Sequence, residues 1–131
     1  MFNFEKLEVW QKAIDFADLV YSSTRTFPSD ERFGLANQMR RAAVSISSNI
    51  AEGTSRMSQT DFKRFVEIAT GSLFEIISQA FIGHRQGFLN REAFSSLYSA
   101  AEEVGRMLKR FTKITVAKIV SMRLSIINYQ P

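Results

Sequence analysis

Residues 33–56 read FGLANQMRRAAVSISSNIAEGTSR, and this stretch decides the fold. Its pattern predicts one helix whose inner face carries small side chains, which allow a neighbouring helix to approach closely. These small residues are Ala42, Ala43, Ser45, Ser48, Ala51 and Gly53. Polar side chains share the helix, and a buried polar group without a partner costs about 1–3 kcal/mol. They are Arg40, Arg41, Asn49 and Glu52. The stretch therefore predicts the centre of a packed helical bundle.

The composition is typical of one soluble globular domain. The chain has 131 residues, of which 45% are hydrophobic and 23% charged, so it can bury a core without disulfides or metals. We expect a single domain spanning residues 1–131, with a core at about residues 4–114 and a tail at 115–131. The absence of cysteine excludes disulfides, thiolate catalysis and cysteine-ligated zinc.

The N-terminus predicts a cytoplasmic protein. MFNFEKLEVW carries acidic residues at once and lacks the apolar run of a signal peptide. No uninterrupted run of about 18 apolar residues occurs, so we expect neither a membrane span nor a membrane partner.

Apolar residues recur at spacings of three and four throughout, which predicts helices. Pro28 ends the first, at about residues 4–26, and the second should cover about residues 30–51 with Ser29 as its N-cap. Short connections between long helices favour antiparallel neighbours. The fold class is therefore all-α, an antiparallel up-down-up-down four-helix bundle with a C-terminal apolar extension.

The third and fourth helices have recognisable beginnings. Ser58 should cap the third helix, with Asp61 in the capping-box position and Met57 packing onto Phe62 as a hydrophobic staple. Asn90 should cap the fourth helix in the same way. The tail after residue 114 is rich in apolar residues without one helical stripe, so it either extends the fourth helix, folds back or docks onto another subunit.

Catalytic and metal-binding patterns are missing from the sequence. The single histidine, His84, falls near the end of the third helix, where a positive charge interacts favourably with the helix dipole. Glu67 and Glu75 lack the Glu-x-x-His motifs that di-metal bundles require. We therefore predict no catalytic residue, no cofactor and no metal, and a protein that is not an enzyme.

Four polar residues are predicted to form a network between the second and third helices. They are Asn49, Glu52, Ser72 and Glu75. Such a network would fix the register of the two helices. The alternative is a small-ligand pocket, which would suit a small-molecule enzyme, although no motif positions a nucleophile or base there.

The fourth helix carries a basic stripe. Its residues are Arg106, Lys109, Arg110 and Lys113. They fall within about 100° of one another, opposite the apolar residues of the helix. Such a stripe can follow the phosphates of a nucleic acid. The alternative is a solvated helix face, on which Glu102 or Glu103 pairs with Arg106.

A second basic patch lies near the turn between the second and third helices. Arg56, Lys63 and Arg64 form it. The adjacent Arg40 and Arg41 point about 100° apart. One of them should therefore lie in a groove between helices, paired with an acid.

Five segments of the chain match a known pattern: LEVW at residues 7–10, FP at 27–28, FGL at 33–35, QMRRAAVSISSNIAEG at 38–53 and FVEIATGSLFE at 65–75. Through these segments the sequence resembles the four-helix-bundle family of 23S ribosomal RNA intervening-sequence proteins. The similarity covers roughly residues 4–80. The chain is also similar to the accessory protein of diversity-generating retroelements, which forms a basic pentamer that binds reverse transcriptase and nucleic acid.

The resemblance implies a four-helix bundle that assembles into a homopentamer, which would carry a formal charge of five times +4. We expect a non-enzymatic, homo-oligomeric adaptor that binds RNA or DNA through basic helix faces. The alternative is a protein-interaction scaffold for a partner such as a polymerase, without direct contact to nucleic acid.

Overall fold

The computed structural model describes the backbone of residues 1–128 and the side chains of residues 1–112. This backbone contains four α-helices, which are α1 (Glu8–Thr24), α2 (Leu35–Gly53), α3 (Gln59–Arg85) and α4 (Arg91–Asn128). Two short 3-10 helices, Asn3–Lys6 and Ser29–Glu31, precede α1 and α2. The side chains of the predicted apolar extension, residues 115–131, lie outside the described part of the chain.

The four helices pack in a ring around one core. α1 and α3 each pack against both α2 and α4, and connections of a few residues join α2 to α3 and α3 to α4. The predicted all-α four-helix bundle is confirmed. Among residues 1–112, the largest side chains that are fully buried come from all four helices and one loop: Phe16, Met39, Ile46, Ile50, Leu73, Ile76, Leu89, Leu97 and Leu108. Burying each such side chain contributes about 1.5–3 kcal/mol.

Small residues allow α2 to approach α3, as the sequence predicts. Ala42, Ala43 and Gly53 are buried, and a β-carbon added at Gly53 would lie 3.0 Å from the Cβ atom of Phe65. The prediction is wrong for Ser48, which is exposed, whereas Ser47 is buried. Consecutive residues point about 100° apart, and the core stripe of this helix passes through position 47.

The start of α2 differs from the prediction. The helix begins at Leu35, not at about residue 30, because a 3-10 turn at Ser29–Glu31 and the non-helical Gly34 (φ −109°, ψ −120°) interrupt the helical backbone. Ser29 makes no capping hydrogen bond. Instead, the Glu31 carboxylate accepts a hydrogen bond from the backbone N–H of Leu35 at 3.0 Å. An acid one turn before the helix therefore takes over the role of a cap.

The predicted caps of α3 and α4 are confirmed. The Ser58 hydroxyl accepts a hydrogen bond from the backbone N–H of Asp61 at 3.1 Å, and the Asn90 side chain accepts one from Ala93 at 2.8 Å. The hydrophobic staple at Met57 is wrong because that side chain is completely exposed. Phe62 packs instead against the ring of Phe111, with the ring centroids 5.4 Å apart.

Candidate nucleic-acid interface

Two basic patches that are separate in sequence meet at one end of the bundle. The residues after α2, the first turn of α3 and the middle of α4 surround a groove with a volume of about 420 Å³. Arg56, Lys63 and Arg110 line it, together with the rings of Phe62 and Phe111. Helix packing therefore places a residue of the predicted α4 stripe beside the predicted patch of the α2–α3 turn.

The three cations of the groove have different surroundings. Arg56 pairs with the Glu52 carboxylate at 3.1 Å, and its guanidinium lies 4.7 Å from the ring centroid of Phe65. Among the described side chains, Lys63 and Arg110 form no ion pair. The sequence contains no acidic residue after Glu103. Lys63 and Arg110 are therefore the cations available to an anionic ligand.

The remaining basic residues flank the groove or lie outside the described region. Arg64, Arg106 and Lys109 are exposed, and the side chain of Lys113 lies beyond the described side chains. Glu103 pairs with Lys12 of α1 at 3.3 Å instead of with Arg106. Where side chains are described, Arg106 forms no ion pair. Packing of α1 against α4 thus pairs Glu103 with Lys12, so that this acid does not neutralise the basic stripe.

The predicted polar network falls into separate groups of contacts. Ser45 lies at the centre of one group, since its hydroxyl accepts hydrogen bonds from Ser72 at 2.9 Å and from the Asn49 amide at 3.0 Å. Glu52 contacts Arg56, and Glu75 accepts a hydrogen bond from Gln79 at 3.3 Å. Sequence reasoning missed Ser45 as a polar partner, although its spacing of four residues from Asn49 is typical of such local hydrogen bonds.

Of the two adjacent arginines, Arg40 occupies a groove between helices. Its Nε donates a hydrogen bond to the Thr24 hydroxyl at 2.9 Å, and its guanidinium lies 4.9 Å from the ring centroid of Tyr21. Arg41 is exposed. The prediction of an acidic partner is wrong, because α1 presents a hydroxyl and an aromatic ring at this position.

His84 lies in the last turn of α3, as the sequence predicts. Its Nδ1 lies 2.9 Å from the carbonyl oxygen of Leu89, to which a ring N–H can donate. The backbone N–H of Phe88 bonds to the Gly83 carbonyl at 2.8 Å and that of Gly87 to His84 at 3.0 Å, which is a Schellman ending. Gly87 has a φ of +81°, which glycine adopts without strain. His84 therefore belongs to the structure that ends α3.

Exposed apolar side chains continue along the outer surface of α3 and α4. Phe74 is 66% exposed and Phe81 48% exposed, and the rings of Phe81 and Phe94 pack 4.9 Å apart. By length and composition α3 is also apolar enough to cross a membrane, but core helices of soluble bundles meet the same criteria. Part of its apolar surface faces the core and part remains uncovered in the single chain.

Within residues 1–112, no cluster of three or more histidine or acidic side chains could hold a metal ion. The fold and the groove thus define a class: small four-helix-bundle proteins with a basic surface at one end. The sequence pattern of the 23S rRNA-intervening sequence protein family matches residues 5–110. The chain belongs to this family, which confirms the resemblance found in the sequence.

A solved structure from Bacteroides thetaiotaomicron is similar in fold. It is a protein of unknown function from the S23 ribosomal protein family, with a TM-score of 0.72 and 24% sequence identity. The similarity covers 80% of this chain and 98% of the other. No curated protein matches this chain. The solved structure supports the bundle fold alone.

Proposed function

We propose that the protein is a non-enzymatic, homo-oligomeric adaptor of the cytoplasm that binds RNA or DNA through basic helix faces. The observation that carries the proposal is the convergence of Arg56, Lys63 and Arg110 on one groove. Lys109 and Arg106 extend the positive surface along α4. Clustered cations that displace counterions from phosphates supply affinity independent of base sequence.

Self-association is the second part of the proposal. The exposed phenylalanines of α3 form an apolar surface, and burying such surfaces drives the assembly of homo-oligomers. The family resemblance favours a homopentamer, in which the charge of +4 per chain is repeated five times. Symmetry thus turns a modest positive field into a strong one, which raises both affinity and association rate.

Fluorescence anisotropy with labelled structured RNA and duplex DNA across a salt series tests the nucleic-acid proposal. We expect affinity to fall steeply with salt concentration. The triple variant Lys109→Glu, Arg110→Glu, Lys113→Glu should lose binding at an unchanged oligomeric mass. A matched variant, Arg25→Glu, Arg32→Glu, Arg85→Glu, carries the same change of charge at exposed positions outside the groove and should retain most of the affinity. Negligible binding by the parent protein at low salt would refute the proposal.

A protein-interaction scaffold is the second candidate, and the exposure of Phe74 and Phe81 favours it. In this case the apolar surface or the tail would contact a partner such as a polymerase. Saturable binding of a purified polymerase, together with no binding of RNA or DNA, would identify this function. Comparison of the full chain with a chain lacking residues 115–131 would test whether the tail contributes.

A further inference from the structure

We infer that the groove between the α2–α3 turn and α4 binds one unpaired nucleotide of a single strand. Lys63 and Arg110 hold its phosphate, and its base packs against Phe62 and Phe111. The inference rests on the proposed nucleic-acid function and makes it more specific, because it predicts a preference for single strands over duplexes.

The phosphate position follows from charge. Lys63 and Arg110 come from different helices and line the same groove, and among the described side chains neither forms an ion pair. Ser58 and Gln59 at the N-terminus of α3 also line the groove, where the helix dipole adds partial positive charge. Arg56 is already paired with Glu52. A phosphate would therefore neutralise two cations that have no acidic partner in the described chain.

The base position follows from two aromatic residues that line the same groove as these cations. Phe62 and Phe111 are half-buried and line the groove, and their rings pack edge to face with an interplanar angle of 80°. Met57 at the rim is completely exposed, which leaves a polarizable side chain free for contact with a ring. Cations beside aromatic rings are the combination that single-strand binding proteins use for backbone and base.

The size of the groove favours an unpaired nucleotide. Its volume of about 420 Å³ falls in the range of small-molecule sites. The bases of a duplex are stacked and paired, so they reach such a groove only after unpairing, which costs a few kcal/mol. A single strand avoids this cost and should bind more tightly than the same strand in a duplex.

Anisotropy titrations of the full chain test the inference with four probes. These are a short labelled RNA strand without self-complementarity, the DNA strand of the same sequence, and the duplex of each. The double variant Lys63→Gln, Arg110→Gln removes the two cations. Its matched control, Arg85→Gln, Arg91→Gln, removes two exposed cations of the α3–α4 turn, and Arg85 lies about 33 Å from Lys63 along α3.

We expect tighter binding of single strands than of duplexes by the parent protein. The groove variant should lower the slope of log affinity against log salt for single strands by about 0.7, which corresponds to the loss of the one phosphate held in the groove. The control should keep the parent slope. Phe111→Leu should weaken single-strand binding about five-fold or more without changing the salt slope. Phe88→Leu, at a half-buried ring in the α3–α4 turn, should leave the affinity unchanged.

Other outcomes separate this inference from the function on which it rests. Equal affinity for single strands and duplexes, or an unchanged salt slope in the groove variant, overturns the assignment of the groove. Salt-dependent binding by the parent would then still support the nucleic-acid function. Absence of binding to all four probes at low salt overturns both.

Discussion

The absence of a side chain at Gly53, the last residue of α2, allows α2 and α3 to lie close together. A β-carbon at this position would lie 3.0 Å from the Cβ atom of Phe65 and 3.1 Å from Cδ2 of Phe62. The Cβ atom of Phe65 is fixed to the backbone of α3, so it cannot move away by rotation of a side chain. Any larger residue at position 53 therefore has to push the helices apart.

We predict that Gly53→Ala lowers the free energy of unfolding by about 1–2 kcal/mol, because overpacking outweighs the gain in helix propensity. Gly71→Ala is the matched control, since its added β-carbon would have no atom within 4 Å apart from its chain neighbours and the adjoining backbone of α3. That variant should raise stability by up to about 1 kcal/mol. Urea denaturation at one protein concentration and equal oligomeric mass measures both. Equal effects at the two positions would contradict the close approach of α2 and α3.

Arg40 and Arg41 differ in their surroundings, and their substitutions should differ accordingly. Arg40→Met removes a charged hydrogen bond to Thr24 and the contact with the Tyr21 ring, so we expect a loss of about 1–2 kcal/mol. Arg41→Met, at an exposed side chain, should change stability by less than about 0.5 kcal/mol. Thermal unfolding followed by circular dichroism measures the difference, and equal losses would refute the placement of Arg40.

At the scale of the element, the start of each helix depends on which group accepts its first backbone N–H bonds. For α3 and α4 the acceptor is the N-cap side chain, which a local sequence pattern identifies. For α2 the acceptor is Glu31, four residues before the helix begins. The sequence pattern predicts too early a start for this helix because Ser29, Asp30 and Glu31 together resemble a helix N-terminus. In the structure these residues and the turn at Gly34 belong to the loop before α2.

We predict that Ser58→Ala and Asn90→Ala each cost about 1 kcal/mol of stability, because each removes the acceptor for a backbone N–H at a helix start. Ser96→Ala is the control, since this exposed residue lies inside α4 and alanine favours a helix. It should leave stability unchanged or slightly higher. Urea titration provides the comparison, and a control as destabilised as the two cap variants would argue against the role of the caps.

At the scale of the whole molecule, the exposed apolar surface of α3 should be the place where copies associate. Phe74→Glu puts a charge on this surface, and sedimentation equilibrium should show a fall in mass from about 75 kDa, five times the chain mass of 14.9 kDa, towards that of a single chain. Phe33→Glu is the matched control, because Phe33 is 86% exposed in the loop before α2. It should leave the mass unchanged.

Two results would contradict this picture of assembly. An unchanged mass in the Phe74→Glu variant would place the self-association surface elsewhere. A parent protein with the mass of a single chain would refute the homopentamer itself. The affinity for nucleic acid would then come from a single copy of the groove, with Lys63 and Arg110 as its two available cations.

The sequence by itself determined the features that depend on neighbours along the chain: helical periodicity, the caps at Ser58 and Asn90, and the family to which the chain belongs. Only the tertiary structure decided which side chains meet across helices. It brought Arg110 to Lys63, and it paired Glu103 with Lys12. These contacts depend on the rotation and crossing of whole helices, which the packing of many core side chains sets together, so no local spacing predicts them.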